Sequence, residues 1–353
     1  MKSISEITSL VKESAREAGF ELAGVAPVRE FPELNEFPKW IAAGHAGEMK
    51  YMEARDETGT LKRSNLRRVA PWVRSVIVCA LNYNTAQPYS TELHDADHGW
   101  ISRYAWSRED YHEAVMWRLR KVEAVLKAEL GTTVETRCYV DTGPLVERVY
   151  AKYAGIGWLG KNTCIINQKA GSWLFLGVIL TSVDLTPDLP APDRCGTCTR
   201  CIDACPTDAL IAPYQLDSNR CISYLTIEKR GTIPENLRDA MGRHIFGCDI
   251  CQDVCPWNRK AAVTNAAEFQ PREGLVNPAL EWLAEIGDEE FRQRFRGSPI
   301  RRTKRTGLRR NAVIAMGNSG DRAFLPSLEK LAADEDPVVA EHGQWAADKL
   351  RMP

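Results

Sequence analysis

Between Cys195 and Cys255 the chain carries eight of its eleven cysteines, and their spacing limits what this stretch can fold around. The first block runs Cys195-Gly-Thr-Cys198-Thr-Arg-Cys201-Ile-Asp-Ala-Cys205-Pro206. This is Cys-x2-Cys-x2-Cys-x3-Cys-Pro, the run that bacterial ferredoxins use to hold iron–sulfur cubanes. Iron in a cubane takes soft thiolate donors, and a loop with a cysteine every third residue wraps three corners of the cube. The fourth cysteine turns away toward a second cluster. The second block, Cys248-Asp-Ile-Cys251-Gln-Asp-Val-Cys255-Pro256, keeps the end of the pattern, with Cys221 as the remaining, distant ligand. Two-cluster logic crosses the ligands. One [4Fe–4S] cluster takes Cys195, Cys198, Cys201 and Cys255, and the other takes Cys205, Cys221, Cys248 and Cys251. Structural zinc is the rival, since paired Cys-x2-Cys also binds zinc, but zinc sites rarely use a triplet followed by Cys-Pro.

Disulfides are not the reading of these cysteines, because nothing in the sequence points to export and cytoplasmic thiols stay reduced. The opening segment from Met1 to Gly19 mixes charges with Ile4, Ile7, Leu10 and Val11, which makes an amphipathic helix rather than a signal peptide. No apolar run has bilayer-spanning length. The expected location is the cytoplasm. A formal net charge of -1 leaves any nucleic-acid binding to local basic patches.

Three stretches follow from pattern and composition. Residues 1–188 mix helix and strand and are expected to form an α/β domain. Arg74–Leu81 and Trp173–Thr181 read as buried strands, and Asp110–Leu130 as a long helix ended by Gly131. A proline-rich connector, Thr186 to Asp193, leads into a ferredoxin-like module over 189–260. Residues 261–353 contain no cysteine and read as helical. Gly307–Met316, Pro326–Ala333 and the helix from Asp336 suggest a short HEAT-like solenoid, with a plain helical cap as the alternative. The whole is an α+β multidomain chain. Cys79, Cys138 and Cys164 are expected to be small buried apolar side chains.

Two further blocks make the sequence recognisable. These are Arg137-Cys-Tyr-Val-Asp141-Thr-Gly-Pro-Leu-Val-Glu147-Arg148 and Gly155-Ile-Gly-Trp-Leu-Gly160-Lys161-Asn162-Thr163. Together with Ser102-Arg-Tyr-Ala-Trp106, Asp110-Tyr-His112 and the cysteine blocks, they resemble the epoxyqueuosine reductases over essentially the whole chain. The resemblance implies cobalamin between the first domain and the two-cluster module. It also implies a helical C-terminal domain that helps hold a tRNA anticodon stem-loop. The reaction it implies is the last step of queuosine formation, in which the epoxide oxygen at wobble position 34 leaves as water.

In that role Asp141 matches the family's proton donor, whereas the sequence alone would let it cap the turn at Thr142-Gly143-Pro144. An acid that donates near neutral pH needs a raised pKa. Lys161, Asn162, Gly171 and Ser172 are the candidates to touch the corrin, with Arg63, Ser102, Tyr104 and Asp141 beside them. The Asp-x-His-x-x-Gly motif that supplies a histidine under cobalt is absent; Asp97-His98-Gly99 has the wrong spacing. For RNA, Phe291–Arg310 is rich in arginine without an acid, and Arg301, Arg302, Lys304 and Arg305, with Lys229 and Arg230, are the expected phosphate contacts. An external flavodoxin or ferredoxin would supply electrons, and the family implies a monomer. Rival readings are a reductive dehalogenase-like reductase, a nonenzymatic electron-transfer ferredoxin, and an RNA-binding protein whose clusters are structural.

Overall fold

A strand buried on both faces organises the first half of the chain. The computed structural model describes residues 2–131 and 133–352. Ser75–Asn82 is buried at every position and lies inside a four-stranded sheet in the order Leu22–Pro27, Ser75–Asn82, Leu174–Thr181, Thr136–Tyr139. Alternation decides which side each residue serves. Ile77, Cys79 and Leu81 pack under the helices Ile4–Glu17 and Tyr111–Leu130, while Val76, Val78 and Ala80 pack against Glu147–Tyr153. Asp110 caps the long helix by accepting from the His112 amide, and Gly131 ends it. At Gly177 a side chain would collide with Val115 and Leu119, so glycine lets that helix lie close on the sheet.

The expected mixture of helix and sheet is present, with one correction to the α/β expectation: every neighbouring pair in this sheet is antiparallel. Ser75–Asn82 and Thr136–Tyr139 run in the same direction on either side of Leu174–Thr181, so the stretch holding Tyr111–Leu130 crosses over the sheet, yet no two neighbouring strands are parallel. No helix among the described residues is long and apolar enough to cross a membrane.

The second and third stretches are locked to the first. Trp100–Ile101 pairs in parallel with His244–Phe246, and one continuous core joins Trp100, Trp106, Ile245 and Phe246 to Leu308, Ala312, Met316 and Val339. Asp249 clamps this joint, accepting from Trp100 Nε1 at 3.1 Å, from Ser102 Oγ and from the Arg103 amide at 2.7 Å. The proline-rich connector is pinned too: Asp188 takes the Val25 amide at 2.8 Å and Lys12 Nζ at 2.6 Å. The C-terminal stretch is helical, built on Leu280–Glu285, Lys304–Asn318, Leu325–Leu331 and Pro337–Arg351.

Two members of the arginine run, Arg309 and Arg310, lie inside the protein and are not available to phosphate. Arg309 is buried against the helical stretch itself and Arg310 against the two-cluster stretch. Arg309 pairs with Asp334, and Arg310 donates to the carbonyls of Leu225, Lys229 and Gly231 at 2.8, 3.0 and 2.7 Å. Replacing Arg310 by leucine leaves the buried Leu225 carbonyl without that donor and strips one from Lys229 and Gly231, and the expected loss is on the order of 3 kcal/mol. A urea midpoint unchanged from that of the parent chain would contradict it.

Candidate active site

Stretches far apart in the sequence converge on one cavity of about 350 Å³. Its floor carries Cys205, Cys221, Cys248 and Cys251. The short helices Arg200–Asp203 and Ile250–Asp253 pack against each other, each placing cysteines at its ends. Cys221 and Cys248 meet in one small core with Ile222, Tyr224 and Met241, whereas Cys195 and Cys255 meet in another beneath Trp158 and Trp257. The thiols also feel one another. Burial, then Cys255 and Cys195, push Cys201 up to about 11, while burial, then Cys221 and Cys205, drive Cys248 well upward. Cys221 thus lies with Cys248, and Cys195 with Cys255. Burial of thiolates that repel each other favours a bound cation or cluster, which would keep them deprotonated.

Asp141 stands at the exposed mouth of the cavity with φ 58°. Aspartate tolerates this left-handed conformation better than most side chains. The Tyr111 hydroxyl donates to Asp141 Oδ2 at 3.0 Å, so the carboxylate faces the cavity instead of folding back onto its own turn. Burial, with Asp141 adding, drives the Tyr111 phenol well above its ordinary value and keeps it a donor.

Of the other residues singled out from the sequence, Ser102, Tyr104 and Asn162 line the cavity. Asn162 Nδ2 donates to the Cys251 carbonyl at 3.2 Å. Four stand behind the walls. Arg63 donates to the Gly143 and Leu145 carbonyls and so holds the Asp141 turn. Lys161 Nζ donates to the Gly196 and Cys198 carbonyls at 2.7 and 3.0 Å, closing the first cysteine loop. Gly171 and Ser172 dock on Asn258, whose Oδ1 accepts the Ser172 amide at 2.7 Å.

Cys164 departs from the expectation of a buried apolar thiol. Cys79 and Cys138 are buried beneath the sheet, but Cys164 lines the cavity, and its Sγ donates to Gln252 Oε1 at 3.3 Å. Glu147 is another lining residue to which sequence reasoning gave no role, as are Tyr83, Asp249 and Gln252. Its only signal was its place six positions after Asp141, opening the helix Glu147–Tyr153.

Three of the basic candidates form ion pairs. Arg302 Nε pairs with Glu228 at 2.5 Å and its guanidinium lies over the exposed ring of Tyr51, 5.4 Å from the centroid. Arg230 donates to the Arg302 carbonyl at 2.8 Å, and Lys229 pairs with Glu48. Arg301 and Lys304 are exposed, and Arg305 is paired with Asp288 at 2.7 Å.

The walls suit a large macrocycle with an amide-bearing rim. Leu174, Phe175 and Leu176 form an apolar side, while Ser102, Asn162, Thr163 and Gln252 offer polar contacts around it. No histidine is among the residues lining the cavity, so a cobalt there would take no imidazole from the wall.

Comparison with known proteins agrees with this geometry. Residues 194–258 match the family model described as "4Fe-4S double cluster binding domain", and residues 63–142 match "Epoxyqueuosine reductase QueG, DUF1730". An epoxyqueuosine reductase of Xanthomonas campestris pv. campestris is 39% identical over 346 residues, covering 97% of this chain and 96% of that protein. One from Synechocystis sp. is 45% identical over 294 residues, covering 82% of this chain and 98% of the relative. A crystal structure of epoxyqueuosine reductase with an epoxyqueuosine-modified tRNA-Tyr stem loop aligns with a TM-score of 0.88 at 30% identity, covering 99% of this chain and 91% of that one. The chain belongs to the epoxyqueuosine reductase family.

Proposed function

We propose that this protein reductively removes the epoxide oxygen of epoxyqueuosine at the tRNA wobble position, giving queuosine and water. The observation that carries the reading is that Asp141 and the thiols Cys205, Cys221, Cys248 and Cys251 line one cavity. A proton source and an electron source therefore meet where a flipped-out nucleoside can enter.

Balance sets what the residues must do. Converting the epoxide to a carbon–carbon double bond and water takes two electrons and two protons. Each cubane stores electrons singly, so two clusters in series suit delivery one at a time. Asp141 is the residue that protonates the epoxide oxygen as its bond to carbon weakens, and Tyr111 aims the carboxyl. Cobalamin, when bound, supplies a cobalt centre able to pass electrons to carbon. Ser102, Tyr104 and Asn162 would hold it at the cavity wall, while Arg63, Lys161, Gly171 and Ser172 act from behind by fixing the loops that form that wall.

For the substrate, Arg301, Arg302, Lys304, Lys229 and Arg230 would meet phosphates, with Tyr51 offering an exposed ring for a base. Arg305 stands at the edge of this patch. Residues 1–188 act as the cobalamin-binding part, 189–260 as the two-cluster part and 261–353 as a HEAT-like tRNA-binding part. An external flavodoxin or ferredoxin supplies the electrons, and the protein works as a monomer in the cytoplasm, where its tRNA and reduced thiols are found.

The test uses anaerobically reconstituted protein loaded with cobalamin, a low-potential reductant, and an epoxyqueuosine-containing stem-loop. Nucleoside mass spectrometry should show loss of one oxygen mass at the modified base. Persistence of the epoxide with fully reduced clusters and bound cobalamin would overturn the reading.

A further inference from the structure

The release of oxygen as water consumes two protons, and Asp141 can hold only one at a time. Three carboxyl groups line the cavity: Asp141, Glu147 and Asp249. Asp249 is fully engaged by Trp100, Ser102 and Arg103. Glu147 is not. Its Oε1 is shielded from solvent and has no hydrogen-bond partner among the described residues. The two guanidiniums facing it are occupied elsewhere. Arg63 donates to the Gly143 and Leu145 carbonyls, and Arg148 donates to the Thr163 carbonyl at 3.0 Å. Glu147 is half-buried as a residue, but a carboxyl oxygen shielded from water and left without a donor favours keeping the proton.

We infer that Glu147 holds the second proton of the reaction and passes it to Asp141 after Asp141 has protonated the epoxide oxygen, a role that rests on Asp141 being the donor. In the transfer the Glu147 O–H bond breaks and an Asp141 O–H bond forms. Glu147 becomes a carboxylate, Asp141 becomes the acid again, and Glu147 recovers its proton from solvent. No electrons move in this step. Glu147 acts through Asp141 and is a positioning and reloading group, distinct from the group that touches the substrate.

The electrostatics agree with that role. Burial pushes Glu147 up to about 7, the Asp141 charge adds to the rise, and Arg63 and Arg148 oppose it. Tyr104, Tyr111 and Cys164 are the other titratable groups on the nearby cavity walls. Burial drives both tyrosines upward, so they stay neutral through the same range. The sign follows: Glu147 is loaded below about pH 7 and empties above it, so kcat should fall as pH rises through that value.

The experiment measures kcat and KM against pH for the cobalamin-loaded holoenzyme, Glu147→Gln and Glu147→Asp. Asp141→Asn runs alongside. Glu147→Gln should lower kcat by about 10²-fold near neutral pH with KM and cluster content held, and should abolish the inflection. Glu147→Asp restores a carboxyl, so turnover should largely recover with a displaced inflection. Wild-type-like kcat and an unchanged inflection in Glu147→Gln would overturn the inference while leaving the reaction intact. So would a wild-type profile that is flat between about pH 6 and 8, a result that does not depend on any variant folding. Full turnover in Asp141→Asn would remove the donor itself and the relay with it, and wild-type enzyme that yields no queuosine would overturn the functional reading.

Discussion

Asp141→Asn should lower queuosine formation by about 10²- to 10⁴-fold, the range for removing a general acid. The fold should survive. Asparagine accepts the left-handed backbone that Asp141 adopts at φ 58°, and its amide oxygen can still accept from Tyr111. Arg63 continues to hold the turn through the Gly143 and Leu145 carbonyls. The loss should therefore fall on kcat, with stem-loop affinity, iron content and cobalamin binding kept. Initial rates by nucleoside mass spectrometry, paired with a binding isotherm, separate these quantities. Full turnover in this variant, or a loss confined to affinity, would remove Asp141 from the chemistry.

Cys221→Ala should abolish turnover and remove about half of the iron. Cys221 packs with Cys248 and lies at the cavity floor, whereas Cys195 and Cys255 sit in a separate core under Trp158 and Trp257. The variant should thus empty the cluster nearer the substrate and spare the other. Cys164 complicates the outcome, since it lines the same cavity within reach of Cys251 and could replace a lost ligand. Adding Cys164→Ser closes that route. Iron analysis and electron paramagnetic resonance of the reduced double variant should show one cluster with no queuosine produced. Two intact clusters in the double variant would refute the grouping of Cys221 with Cys205, Cys248 and Cys251.

The cysteine spacing was legible because cubane ligation is largely a local problem, set by how far a loop can reach between thiols. The long helix and the two buried strands were legible for a related reason. Asp110 and Gly131 mark the ends of the helix, and Ser75–Asn82 is apolar because both faces are covered. The arginine run was only half legible. Composition counts Arg309 and Arg310 with their neighbours, but it cannot register that Asp334 and three distant carbonyls satisfy them in the interior. Gly171 and Ser172 illustrate the same limit, because Asn258, far along the chain, claims the surface that the motif seemed to offer a ligand.

From its sequence alone this chain shows the cysteine spacing of a double-cluster domain, its two eight-residue strands, its long helix, and its family. Which acids work together was decided only by folding. Asp141 and Glu147 share a cavity, one held by a phenol and the other left without a partner, because burial and pairing depend on residues far apart in the sequence. Ligand spacing is written along the backbone, whereas the solvation of a carboxyl is set by whatever the rest of the molecule packs around it.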